Sequence, residues 1–340
     1  MDLSFERWER ITSAEREATA RILAKQLPSG FSFNSVQQCR LGEQKHEVAF
    51  FKYGDSRFVL IPDGSVVLGY DAGRTWSPNR DELESWKETN HEYGFASTVQ
   101  EYIAEVTLRP REVALGPFLV ETAASELGWD PVPADDPEVQ EILRRYRSQQ
   151  GVVVDRGGTT IRVQQGNDGT IVAERSVSMT HSELARQIQK LGFRFPTSDE
   201  WEFACGGSAT TLFRWGDHVP CDRYPTDVSP AEAEWRRQWV LSRGTIESPP
   251  EPFVSDWDYH RQPNCFGLLI ASDPYEYELL AEVGMTRGSD GGVRICGGMG
   301  FFVGWLPLAT SYYEAEFCKM EPTEPLSPGY TYGRRVLELR

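Results

Sequence analysis

No run of about eighteen apolar residues occurs anywhere in the 340-residue sequence, which excludes a helix long enough to span a bilayer. Met1 to Gln26 alternates charges with isolated hydrophobes and holds no apolar signal core, so the expectation is a soluble, cytoplasmic chain with no membrane partner. Basic residues are outnumbered, 35 against 51 acidic, and the formal charge of −16 excludes nucleic acid as a main partner. The six cysteines (Cys39, Cys205, Cys221, Cys265, Cys296, Cys318) are too few and too scattered for a small disulfide scaffold and form no C-x-x-C pair, so reduced thiols are expected. The five histidines (His46, His91, His181, His218, His260) show no H-x-x-H or H-E-x-x-H spacing. G-x-S-x-G and phosphate-cradling loops are absent as well, so the local signatures of zinc proteases, serine hydrolases and nucleotide-binding enzymes are missing.

What remains is globular composition, 39% hydrophobic and 25% charged, in a length that suits one large domain or two ordinary ones. Phe5, Trp8, Ile11, Ala18, Ile22 and Leu27 fall near a 3.6-residue period and predict one helix over 4–27, stopped at Pro28. Its apolar stripe either packs on the main domain or receives a protein partner. His46–Lys52 and Phe58–Ile61 read as strands, followed by a turn at Pro62-Asp63-Gly64 and a third strand. Residues 71–112 form a polar stretch, helical over 82–93, in which Trp76, Trp86, His91, Tyr93 and Tyr102 serve either packing or a cleft wall. Val113–Glu121 is a strand, and Asp136–Arg147 a short helix with acidic residues in its first turn and basic ones in its last. Residues 151–177 read as a hairpin that covers an edge or binds a partner.

Thr180 with Glu183, and Thr197 with Glu200, are capping boxes that open two helices. In the second, Trp201 shares a helix face with Ala204 and Cys205, a spacing suited to burial. Residues 231–241 predict a further helix carrying Trp235 and Trp239, with a Pro-rich exit at Pro249, Pro250 and Pro252.

The segment Phe193-Arg-Phe-Pro-Thr-Ser-Asp-Glu-Trp-Glu-Phe-Ala204, followed by Phe213-Arg-Trp-Gly-Asp217, resembles R-L-P-T-E-x-E-W-E-Y-A-A and Y-P-W-G-D of the formylglycine-generating enzyme (sulfatase-modifying factor) superfamily. Further similarities follow in order. Asn264–Leu268 resembles N-x-F-G-L, Asp273–Tyr277 resembles G-N-x-W-E-W, Arg294–Gly298 resembles R-V-x-R-G-G-S, and Gly333–Val336 resembles G-F-R-V. Upstream, Phe58–Gly64 and Leu68-Gly69 resemble the opening strands F-x-x-I-P-G-G-x-F-x-M-G. The resemblance covers roughly 56–340 and implies an α+β, C-type-lectin-like fold of low regular secondary structure. Residues 1–55 then form an N-terminal helix and lead-in strand, and 71–112, 151–177 and 218–252 are insertions.

The resemblance also implies chemistry. Relatives bind copper(I) through two cysteines just after the R-G-G-S strand, positions occupied here by Phe302 and Pro307, so copper at the family site is not expected. Cys296 and Cys318 are the candidates for a replacement thiol pair. Relatives hold calcium near G-N-x-W-E-W, where Asp273 and Glu276 supply oxygens here, as calcium ligands or as acceptors for loop amides. His91 and His260, the latter near Asp256 and Asp258, are candidates for a non-haem iron site, while 1–55 is too short for the His-bearing bundle of ergothioneine-making relatives. The expected cleft is lined by Phe301, Phe302, Trp305, Tyr312, Tyr313, Glu314 and Glu316, with Trp305 and Tyr312 exposed, which suits an apolar or cationic group. Two functions follow as expectations: a divergent modification or biosynthetic oxidase without the copper-thiolate site, or a non-catalytic binding module for a peptide, protein or small ligand.

Overall fold

Strand Ser56–Ile61 pairs antiparallel with Phe118–Glu121, which pairs in turn with Val336–Glu338 near the end of the chain. Phe31–Leu41 and Gln44–Tyr53 complete this five-stranded sheet in the computed structural model, which describes all residues except 148, 150, 167, 242–252, 256 and 340. The class is mixed α+β, with helix and strand in nearly equal shares spread over several sheets. No helix among the described residues is long and apolar enough to cross a membrane.

Side chains alternate across a strand, and both faces of this sheet are buried, which is why Phe58-Val-Leu-Ile61 reads as an unbroken apolar run. One face sends Ala49, Phe51, Phe58, Leu60 and Leu119 into a core with Leu3, Trp8, Ala20 and Leu23. The other sends Val48, Phe50, Val59, Ile61 and Val120 against Trp201, Phe203 and Phe266. Full burial of each such side chain stabilises by about 1.5–3 kcal/mol.

The N-terminal segment packs onto that sheet as two helices, Phe5–Arg10 and Ser13–Ala24, rather than one over 4–27. Thr12 breaks the run because its hydroxyl accepts from Glu15 N–H while the Glu15 carboxylate accepts from Thr12 N–H, an N-cap that competes with helix continuation. The break rotates the stripe, so Ala20 and Leu23 are buried while Ile22 is exposed. The indole N–H of Trp8 donates to the Glu47 carbonyl at 2.7 Å and fixes the helix pair to the sheet.

Thr197 caps Ser198–Gly206 and Thr180 caps His181–Lys190, both with reciprocal Glu partners as the sequence predicts. The 151–177 segment is not an isolated hairpin. Gly151–Arg156, Thr159–Gln165 and Ile171–Ser176 join Trp129–Val132 in a four-stranded sheet over the helix Pro137–Arg145, with a small core of Val139, Ile142, Ile161, Val163 and Ala173. Pro230–Leu241 is helical, and Trp235 meets the Phe253 ring at 6.2 Å. The Pro-rich exit at Pro249, Pro250 and Pro252 lies outside the described residues, as does Asp256.

Residues 294–298, expected as a strand, begin with a helical turn, Val293–Cys296. Asp290 dictates it: one carboxylate oxygen accepts from Gly292 N–H at 2.9 Å, and the other accepts from Arg294 N–H at 3.1 Å and from the Arg294 guanidinium at 3.0 Å. These bonds cap and wind the chain at that point.

Candidate acidic cleft

The helix Arg80–Tyr93 begins at Asn79, whose side chain accepts from Glu82 N–H while the Glu82 carboxylate accepts from Asn79 N–H. Glu82 is fully buried, and beyond its capping bond it faces His218 Nδ1 at 3.1 Å and accepts from Val219 N–H at 3.4 Å. Burial raises the Glu82 carboxyl above its ordinary range, against the hydrogen bonds that favour its charge. One side chain thus caps the helix and pins the segment 218–223 beside it. The other flank is fixed by Ser85, whose hydroxyl accepts from Phe302 N–H at 3.1 Å, and by Thr89, whose hydroxyl donates to the Met299 carbonyl at 2.6 Å.

Between these walls lies a cleft of ≈ 880 Å³. Asp81, Glu84 and Glu88 come from the helix, at spacings of three and four that place them on one face. Asp222 faces them from the opposite wall, and half-buried Trp257 and Phe301 supply aromatic surface. Glu84 also pairs with Arg80 at 3.0 Å, and Arg223 contributes the guanidinium among the lining residues. Of the four carboxylates, Glu84 pairs with Arg80 and Asp222 lies 3.7 Å from the Arg223 guanidinium, so the net negative charge rests on Asp81 and Glu88, beside two aromatic rings, an arrangement whose chemistry suits a cationic group.

The residues expected to line a cleft are placed differently. Phe302 and Trp305 are completely buried and Tyr312 nearly so, in a core with Trp76, Trp86 and Tyr102. The expectation that Trp305 and Tyr312 are exposed is therefore corrected: each has a polar handle satisfied internally. Trp305 Nε1–H donates to the Arg223 carbonyl at 3.0 Å, and Tyr312 Oη accepts from Arg294 at 2.7 Å. Pro307 is buried too. Neither Phe302 nor Pro307 carries a donor for copper, and the segment after Gly298 reaches the cleft through Phe301. Tyr313 is half-buried with the Arg287 guanidinium 5.4 Å from its ring centre, and Glu314 accepts from Arg294 at 2.5 Å.

Cys296 is exposed with Sγ 3.0 Å from the Tyr275 hydroxyl, whereas Cys318 is buried with Sγ accepting from Glu314 N–H at 3.4 Å. Burial pushes the Cys318 thiol up. Asp273 accepts from Tyr275 N–H at 2.9 Å and Glu276 from the Tyr332 hydroxyl at 3.0 Å, so both carboxylates serve as acceptors around the 273–277 turn. Calcium needs several hard oxygens. Among the described residues no group of three or more His, Cys, Asp or Glu side chains converges to hold a metal. His91 is exposed at the end of its helix. His260 is buried against Trp257, Nε2 lies 3.0 Å from the Pro225 carbonyl, and desolvation pushes its imidazole down to about 3.

Sequence reasoning missed Asp222 and Trp257 as cleft residues because only tertiary packing brings them to the helix. Asp81, Glu84 and Glu88 carried a readable signal in their shared helical face. No protein-family model matches the chain, and no curated protein matches it.

Proposed function

We propose that the chain is a divergent member of the formylglycine-generating enzyme superfamily, on a C-type-lectin-like scaffold, that acts as a binding module for the cationic group of a small molecule or peptide. The scaffold reading is supported by the order of the similar segments and by the sheet, in which a strand overlapping the first, Phe58–Gly64, and one starting at the end of the last, Gly333–Val336, flank Phe118–Glu121. The observation that carries the function is the acidic cleft lined by Asp81, Glu84, Glu88 and Asp222; Phe302 and Pro307, which the resemblance aligns with the superfamily's copper thiolates, are buried and carry no metal donor. An oxidase on this scaffold would have to draw its metal donors from elsewhere.

The cleft carboxylates attract a cation, while the half-buried rings of Trp257 and Phe301 supply apolar wall against which an ammonium or guanidinium group rests. Calorimetric titration with putrescine, and with its uncharged counterpart N,N′-diacetylputrescine, tests this reading. Saturable binding of the diamine alone, weakened by added salt, is expected. Equal affinity for the two compounds, or no binding of either, would overturn it.

A further inference from the structure

A second cavity, of ≈ 290 Å³, lies away from the acidic cleft, and the consecutive residues 65–69 line it together with Phe5 and Phe203. Successive side chains of a strand point to opposite faces, so a wall made of every residue in turn is the edge of the strand. That strand is Gly64–Leu68, whose other edge pairs antiparallel with Arg111–Leu115 in a sheet of two strands.

In an antiparallel pair, alternate residues turn both N–H and C=O away from the partner strand. The bonds at either end fix which residues these are. Asp63 N–H donates to the Leu3 carbonyl at 3.1 Å and its carbonyl accepts from Phe5 N–H at 2.7 Å, while Gly69 N–H donates to the Glu202 carboxylate at 2.7 Å. The outward positions are therefore 63, 65, 67 and 69. The N-terminal segment fills the first before it turns into helix Phe5–Arg10, and Glu202 fills the last. Between them, the main-chain groups of Ser65 and Val67 meet no partner among the described residues, and both residues are exposed, Val67 at 73%. The strand carries no lysine, proline or bulge, the devices that close an edge to further pairing.

We infer that this cavity receives an extended segment of a partner polypeptide, which adds as a strand along the edge at Ser65 and Val67 and lays an apolar side chain on Phe5, Leu68 and Phe203. Two donors and two acceptors repeated about 6.8 Å apart match the backbone of an extended peptide rather than a compact solute. Glu202 is compensated by Arg111 at 2.8 Å and Arg287 at 3.1 Å, so the segment that fits here is uncharged.

Titration of the full chain with the blocked peptide acetyl-Ser-Val-Ser-Val-Ser-amide, followed by the backbone amide NMR signals of residues 64–69, tests the inference beside the same peptide N-methylated at every residue. Saturable binding of the first peptide alone is expected, with slowed hydrogen exchange at Ser65 and Val67. Ser65→Pro and Val67→Pro each remove an outward N–H that the fold does not use, a place where an edge strand tolerates proline. Each is expected to keep the melting temperature within about 4 °C and to weaken peptide binding at least about tenfold. Absence of saturable binding to the unaltered chain, or equal binding of the methylated peptide, would overturn the inference. So would binding unchanged in both variants, or a large loss of melting temperature in both, since the two N–H groups would then be bonded within the protein. Self-association of the chain that both prolines abolish, with no peptide bound, would overturn it in favour of a second copy at this edge.

Discussion

Arg334 grips Glu278 through two parallel hydrogen bonds, from Nε at 2.5 Å and from Nη2 at 2.6 Å, and both residues are at most 2% exposed. The remaining guanidinium donors reach the Glu121 carbonyl at 3.0 Å and the Leu269 carbonyl at 2.8 Å. The arginine of the closing G-R-R-V segment thus ties three distant stretches together from inside the core. Removing one partner of such a pair leaves the other charge buried and uncompensated, so Arg334→Met is expected to destabilise by about 3–5 kcal/mol. Arg334→Met combined with Glu278→Leu should cost less than the sum of the single changes. Urea unfolding of the two single variants and the double variant measures this coupling.

At the start of helix Ser198–Gly206, Thr197 accepts from Glu200 N–H at 3.2 Å. Thr197→Ala is expected to destabilise by about 1 kcal/mol through loss of this cap. Glu200 does more, since it accepts from Thr197 N–H at 2.8 Å and forms a two-pronged pair with Arg194 at 2.6 and 2.7 Å. Glu200→Ala should therefore cost clearly more than Thr197→Ala in the same denaturant experiment. Equal losses would mean that the ion pair contributes nothing beyond the cap.

Two buried histidines set a pH dependence. His181 is held neutral with Nε2–H donating to the Leu280 carbonyl at 2.8 Å and Nδ1 accepting from Gly284 N–H at 3.0 Å. Desolvation lowers its pKa and pushes His260 to about 3, from an ordinary value of 6.5. The unfolded chain then binds more protons between those values, so the stability from each neutral imidazole is present above pH 6.5 and lost as pH falls. For His260 the slope is about 1.4 kcal/mol per pH unit between 6.5 and about 3. Unfolding free energies measured across this range should decline toward acid, and His260→Gln should flatten the decline.

Much of the local structure was legible because its signals are local. The capping boxes at Thr180 and Thr197 need only a hydroxyl and a carboxylate three residues apart, and the run Phe58–Ile61 announces a strand buried on both faces. Phe31–Leu41 was harder to read because a bulge between Phe33 and Ser35 interrupts its alternation. The break at Thr12 carries the same capping-box signal, with Glu15 three residues on, but it lies inside a hydrophobic period that continues through it and reads as one helix. The burial of Trp305 and Tyr312 depends on the segment 71–112, which packs Trp76, Trp86 and Tyr102 into one core with them. That segment presents carboxylates, rather than its rings, to the cleft, a division that follows from which helix face meets the 299–302 segment.

The most direct test of the binding proposal is a calorimetric titration of putrescine into the unaltered chain and into a variant carrying Asp81→Asn, Glu88→Gln and Asp222→Asn. All three residues are exposed, so the changes should leave stability within about 0.5 kcal/mol per site. Saturable binding that falls at least about tenfold in the variant is the predicted result, since one decade corresponds to about 1.4 kcal/mol. Identical affinity in the two proteins would contradict a cation held by the cleft between Arg80–Tyr93 and Asp222.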